Sequence, residues 1–210
     1  MNAKRRPSIQ IPVYHSAVRL VLASASPRRA ELLARAGFEF DVAPGNVDER
    51  RLDGEDPRQY VARLAHAKVA AIGPSFPDRV VVGADTVVLI NDEVWGKPED
   101  EAAAAVMLRQ LSGRTHRVLT GVEAGRGAQV AAGLQVTKVT LVELSDVQIA
   151  SYIASGEPMD KAGAYAAQGI ASRFIERIDG SYANVVGLPL ALLDRLLKQF
   201  DGENGVESAT

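Results

Sequence analysis

The chain has 210 residues, of which 47% are apolar and 24% charged, with a formal net charge of −2 and no cysteine. That is enough apolar material for one large domain, or two small lobes, with a core that needs neither disulfides nor metals. It excludes a disulfide scaffold, a thiolate zinc site and a cysteine nucleophile, fits a reducing cytoplasm, and argues against a protein whose task is gripping nucleic acid.

Residues 1–17 begin with the basic run Met1-Asn2-Ala3-Lys4-Arg5-Arg6, and no apolar signal core follows, so they read as a loosely held extension. A strand over 19–23 leads into a helix over 27–36, with Ser26 as N-cap, Pro27 in the first turn and Gly37 as the stop. A second strand follows over 38–42, then a polar loop containing Asn46-Val47-Asp48-Glu49-Arg50. Asp56-Pro57 opens a helix running to about residue 72, whose inward stripe of Val61, Leu64 and Lys68 includes a lysine. Residues 80–84 form a buried strand continued by 87–90, and Asn91-Asp92-Glu93 turns into Val94-Trp95. The longest apolar run, 80–90, is too short and too interrupted to span a membrane.

After the loop Gly96-Lys97-Pro98, an alanine-rich helix covers 99–111. Strands near 116–124 and 130–144 form a long hairpin, and Ser145 with Gln148 is a capping box for a helix ending near Gly156. Residues 160–169 read as an irregular functional segment, 173–178 as a strand, and 189–200 as the last helix, before a flexible tail over 201–210. Strands alternating with helices give an α/β class, with a mixed sheet flanked by helices.

Four polar clusters sit at the ends of these elements. Arg28 and Arg29 stand in a first helical turn, where cations face the positive end of the dipole. They are either bent into water or, with Ser24 and the free N–H groups, a cradle for an anion such as phosphate. Asp85, within Gly83-Ala84-Asp85-Thr86, is a carboxylate inside an apolar strand; it holds a turn, binds Mg²⁺ or takes a proton from water. Asp48-Glu49 is a solvated pair or, near Asp85, part of an oxygen site for Mg²⁺. Lys97 on its braced loop suits a phosphate, and Lys68 either snorkels to water or faces a cleft. Nucleotide-binding glycine motifs, H-E-x-x-H and G-x-S-x-G are missing, and His15, His66 and His116 share no metal spacing.

Taken in order, these stretches resemble the Maf-like nucleoside triphosphate pyrophosphatases. The resemblance rests on Leu22-Ala23-Ser24-Ala25-Ser26-Pro27-Arg28-Arg29, Val47-Asp48-Glu49, Gly83-Ala84-Asp85-Thr86-Val87-Val88, Gly96-Lys97-Pro98, Leu111-Ser112-Gly113-Arg114-Thr115-His116, Asp160-Lys161-Ala162-Gly163-Ala164-Tyr165 with Gln168-Gly169, and Gly187-Leu188-Pro189-Leu190. It covers about residues 18–200. It implies two lobes around a cleft, in an architecture related to the inosine triphosphate pyrophosphatases. It also implies hydrolysis between the α and β phosphates with a divalent cation, Mg²⁺ or Mn²⁺.

Carried over residue by residue, the resemblance makes Asp85 the proton acceptor, with Glu49 and Lys97 beside it as catalytic groups and Glu49 with Asp85 as metal ligands. Ser24, Arg29 and Lys68 join the substrate site. Arg28, Thr86 and Gln168 match the members acting on dTTP and UTP, where relatives acting on 7-methyl-GTP carry tryptophan and glutamate in place of Arg28 and Gln168. A cationic methylated base suits an aromatic face and a carboxylate, whereas a neutral pyrimidine offers an amide-like edge to Gln168. The implied role is removal of non-preferred or modified nucleotides from the pool. Another modified nucleotide as substrate, or septum inhibition through a binding partner, are the alternatives. Neither nucleic acid nor membrane is an expected partner, and a homodimer is the family's frequent state.

Overall fold

The computed structural model describes residues 19–203. The extension expected over 1–17 lies outside the described residues, and so does the tail beyond the short 3-10 turn Lys198–Glu203. Seven strands form one mixed sheet: β1 (Leu20–Leu22), β2 (Phe40–Val42), β3 (Val80–Ile90), β4 (Glu93–Trp95), β5 (Thr115–Arg126), β6 (Gln129–Leu141) and β7 (Ile175–Asp179). Their order is β2-β1-β3-β5-β6-β7, with β4 on β3. β1 runs parallel to β2 and β3, while β5, β6 and β7 are successive antiparallel neighbours from β3 outward. The helices are α1 (Pro27–Arg35), α2 (Pro57–Ile72), α3 (Glu101–Leu111), α4 (Asp146–Ile153), α5 (Tyr182–Val186) and α6 (Leu190–Leu197).

β3 organises the molecule because its β-branched residues are buried on both sides. On one face, Val80, Val82 and Ala84 pack with Leu32 and Leu33 of α1 and Leu193 and Leu196 of α6. Further along the same face, Val88 and Ile90 join a separate core with Leu108 and Leu111 of α3 and Ile149 and Tyr152 of α4. The opposite face takes α2, through Val69 against Val81 and Val61 against Val87. The two cores on the first face are the two lobes.

The gap between the lobes follows from strand lengths. β1 accompanies β3 only over Val80, Val81 and Val82, and β4 only over Val88, Leu89 and Ile90. On that edge, residues 83–87 have neither as a partner, while β5 continues unbroken on the other edge. A cleft therefore cuts into the sheet at the C-terminal end of β1, where α1 begins.

Two glycines set how closely α2 approaches. A Cβ at Gly121 would lie 2.6 Å from the Val61 carbonyl oxygen, and one at Gly83 would overlap that of Ala65. With no side chains there, the helix backbone lies directly on β3 and β5.

Most of the sequence-based elements appear within two residues of their expected ends, including the long hairpin and the Ser145–Gln148 capping box. Some of the departures have local reasons. α3 starts at Glu101 because the Asp100 carboxylate caps it from the Ala103 N–H at 2.7 Å. β6 stops at Leu141, short of the expected 144, at an irregular register with β7. α5 was not expected; its single turn after Asp179-Gly180 is too short for an apolar period, and Ser181 caps it. No helix among the described residues is long and apolar enough to cross a membrane.

Candidate active site

The cleft has a volume of about 590 Å³, and all nine residues that the resemblance assigns to the site line it: Ser24, Arg28, Arg29, Glu49, Lys68, Asp85, Thr86, Lys97 and Gln168. They come from four directions. α1 and its preceding loop give the first three, α2 and the loop before it give Lys68 and Glu49, β3 gives Asp85 and Thr86, and the far lobe gives Lys97 and Gln168.

Asp85 faces α2 from β3, and the seating of α2 on Gly83 and Gly121 brings Lys68 over it. The Lys68 Nζ donates to Asp85 Oδ1 at 2.7 Å and pairs with Glu49 Oε1, also at 2.7 Å. Lys68 is buried, so the reading of a lysine snorkelling to water gives way to an ammonium held between two carboxylates. Glu49 is brought there by α2 itself. Tyr60 donates its hydroxyl to the Glu49 carbonyl oxygen at 2.7 Å, and Arg63 ties Glu55 and the Arg50 carbonyl. Asp48, paired with Glu49 in the sequence, turns away and binds Arg50 at 2.7 Å.

The two carboxyls diverge in acidity. Burial raises the pKa of Asp85 above the ordinary aspartate range, despite the opposing Lys68 and Arg29 charges. Burial also pushes Glu49 up, but the Lys68 hydrogen bond and the charges of Lys68, Lys97 and Arg29 together outweigh it and hold Glu49 below its usual value. A pair driven apart in this way has one member suited to accept a proton and one suited to stay charged.

Thr86, the next residue, faces the other way. There Arg29 is buried, and its pKa is lowered chiefly by desolvation. Its Nε donates to the Gly187 carbonyl oxygen at 2.8 Å, its Nη1 to Ser24 Oγ at 3.1 Å and its Nη2 to Thr86 Oγ1 at 3.1 Å. Three of the five guanidinium N–H groups are thus committed to protein, which leaves two for a ligand. Thr86 Oγ1 also meets Thr120 Oγ1 at 2.9 Å, and Asn184 donates to the Val118 carbonyl and Thr137 Oγ1. Neither Thr120 nor Asn184 stood out in the sequence, where polar residues in strands and short turns read as solvent-facing.

Arg28 and Arg29, alike in sequence, part here. Arg28 is half-buried at the cleft mouth and meets Asp160 of the far lobe at 3.5 Å. Ser26 occupies the N-cap position of α1 as expected, but its side chain makes no capping bond; its own N–H goes to Ser24 Oγ at 3.2 Å. The first-turn N–H groups of α1 therefore face the cleft without that cap, a setting that favours an anion.

The far wall is irregular, as expected for 160–169, and consists of short 3-10 turns. Ala164 adopts φ 58°, a left-handed conformation that costs roughly 1–2 kcal/mol for a residue with a Cβ. The segment is held from two sides. Gly163 N–H donates to the Gly96 carbonyl at 3.0 Å, which joins it to the Lys97 loop. Glu157 accepts from Tyr152 Oη and the Ile170 N–H, both at 2.9 Å, and Tyr152 accepts from the Ala166 N–H at 3.1 Å. Gln168 sits between these anchors on the cleft wall.

Two carboxylates around one ammonium are hard oxygen donors of the type Mg²⁺ takes. Among the described residues no group of three or more His, Cys, Asp or Glu stands together for a metal. A cation here would draw the rest of its shell from water and phosphate, the usual habit of Mg²⁺.

The model for Maf-like proteins matches residues 19–200. A protein of Koribacter versatilis named dTTP/UTP pyrophosphatase is 49% identical over 187 residues, 89% of this chain and 96% of its own. One of the same name from Geobacter sulfurreducens is 52% identical over 175 residues, 82% of this chain and 91% of its own. The solved structure of the Staphylococcus aureus Ham1 protein superposes with a TM-score of 0.50 at 12% identity, covering 87% of this chain and 99% of that one. This likeness carries the architecture alone, the inosine triphosphate pyrophosphatase-like fold. The chain belongs to the Maf-like family.

Proposed function

We propose that this chain is a dTTP/UTP pyrophosphatase, a hydrolase that cleaves the bond between the α and β phosphates and releases monophosphate and pyrophosphate. The relatives of that name support it at about half identity over nearly their whole length. The observation that carries the chemistry is the Glu49–Lys68–Asp85 chain, 2.7 Å at each link, on the wall of a cleft that also receives the start of α1.

The triphosphate lies against the first turn of α1, with Lys97, Arg28 and the two remaining Arg29 N–H groups as charge-assisted donors. A water beside Asp85 attacks the α-phosphorus; its proton passes to the Asp85 carboxylate as the P–O bond to the β-phosphate breaks. Lys68 keeps Asp85 oriented and ionised, and Glu49 keeps Lys68 in place. Glu49 and Asp85 would hold a divalent cation, Mg²⁺ or Mn²⁺, which when bound offsets charge on the phosphate oxygens. The base extends toward Gln168, whose amide offers one donor and one acceptor to the edge of thymine or uracil.

A panel of dTTP, UTP, CTP, ITP and 7-methyl-GTP, with Mg²⁺ or Mn²⁺ and with chelator, tests this reading. It predicts pyrophosphate and monophosphate from dTTP and UTP at least tenfold faster than from the others, and none with chelator. Release of inorganic phosphate and diphosphate instead would refute it.

A further inference from the structure

A second cavity, of about 330 Å³, opens on the α2 side of the sheet, away from the cleft. Val69 and Ala70 of α2, Pro74, Phe76 and Pro77 beyond its end, and Val130 of β6 make its walls apolar. Its floor carries one charged group, Glu123 of β5, only 5% exposed in the middle of the sheet. A buried carboxylate is costly unless it is paired and hydrogen-bonded. Here the partner is His66 Nδ1, at 2.9 Å, on an imidazole whose side chain is 63% exposed. None of the chemistry of the cleft uses this pair.

We infer that this cavity is a binding site for a small organic cation, an ammonium on an apolar body, with Glu123 as its counter-ion and His66 as a side chain that swings aside to admit it. The volume is at the small end of ligand pockets, and one convergent charge among apolar walls is the usual composition of such sites. Val130, half exposed at the rim, gives the apolar body a surface to cover. His66 and Val69 flank Lys68 on α2, so an occupant touches the helix that carries the cleft's ammonium.

Amide chemical shifts of the full chain are followed during titration with phenethylammonium, with 2-phenylethanol as the neutral probe of the same shape. Saturable shifts are expected at Gly125, Gly127 and Ala70, with the alcohol at least tenfold weaker. Glu123→Gln should weaken the amine at least tenfold. His66→Ala should tighten it severalfold, because the carboxylate loses its competitor. Val130→Lys, at an exposed position that tolerates charge, should abolish binding by supplying a built-in cation. The absence of saturable shifts overturns the proposal, as do equal affinities for amine and alcohol or shifts confined to the cleft. Binding that survives both Glu123→Gln and Val130→Lys overturns it too.

Discussion

Asp85 and Thr86 are neighbours on one strand and point to opposite faces of one sheet, and the two faces are built differently. On the Asp85 face, three charges stand in a row, and the buried carboxyl is pushed toward neutrality while its partner Glu49 is held charged. On the Thr86 face, the cation Arg29 is bound mostly by neutral oxygens, and the network continues through Thr120 to α5. The first face holds groups whose protonation can change during a reaction. The second holds groups that fix a shape. A row of titratable charges and a network of neutral hydrogen bonds are thus separated by a single residue step, because side chains alternate along a strand.

The sharpest way to break this division is Lys68→Met. It leaves Asp85 and Glu49 without their shared cation, and removing one partner of a buried pair costs about 3–5 kcal/mol. Turnover should fall at least about 100-fold. The sign of the pH effect is also fixed. Asp85 acts only as the anion, so kcat/KM falls as pH drops through its raised pKa, and loss of the lysine moves that limb to higher pH. A limb that stays in place would show that Lys68 does not set the state of Asp85.

At His116, the Thr86 face should reveal itself in stability, not rate. His116, on the Thr86 side of β5, bonds Tyr165 Oη at 2.7 Å, and burial lowers its pKa to about 4. Its folded pKa lies below its unfolded value, so its contribution is complete above the unfolded pKa and lost as pH falls from about 6.5 to about 4. That loss amounts to about 3 kcal/mol. Denaturant midpoints of wild type and His116→Leu across this window should converge at low pH; parallel curves would contradict it.

Gly121→Ala probes the contact that joins the faces. The added methyl meets the Val61 carbonyl, so α2 must lift, at a cost of about 1–3 kcal/mol. Turnover should drop more than KM changes, since Lys68 moves with the helix; unaltered kcat would mean that the seating of α2 does not govern the site. The smallest effect is expected from Thr120→Val, which removes a hydroxyl from Thr86 without touching the cleft. About a tenfold loss in kcat/KM, with weaker discrimination between dTTP and CTP, should be recovered by Thr120→Ser.

The charged face was the legible one. Lys68 fell on the inward stripe with Val61 and Leu64 by helical spacing, and Asp85 stood out as a carboxylate among valines; both are buried. The family pattern supplied Gln168 and Lys97, which composition alone could not separate from ordinary loop residues. The Thr86 face was hidden because Thr120 and Asn184 act through the register of β5 and the placement of α5, which exist only after folding. Composition alone does not split Asp48 from Glu49 or Arg28 from Arg29, since loop torsions and burial separate residues it treats alike; the family pattern does, by picking Glu49 and by giving Arg28 and Arg29 different roles. Ser26 shows the reverse error: the right residue at the N-cap position need not supply the capping bond.

The role proposed for Asp85 lies in the chemistry and not in the binding of substrate. Asp85→Asn is nearly isosteric and tests it directly, by dTTP binding and by pyrophosphate release in the same preparation. A dissociation constant for dTTP within about threefold of wild type is expected, with turnover reduced by about 10²–10⁴, the range typical of a lost general base. Near wild-type pyrophosphate release from the Asp85→Asn protein would contradict it.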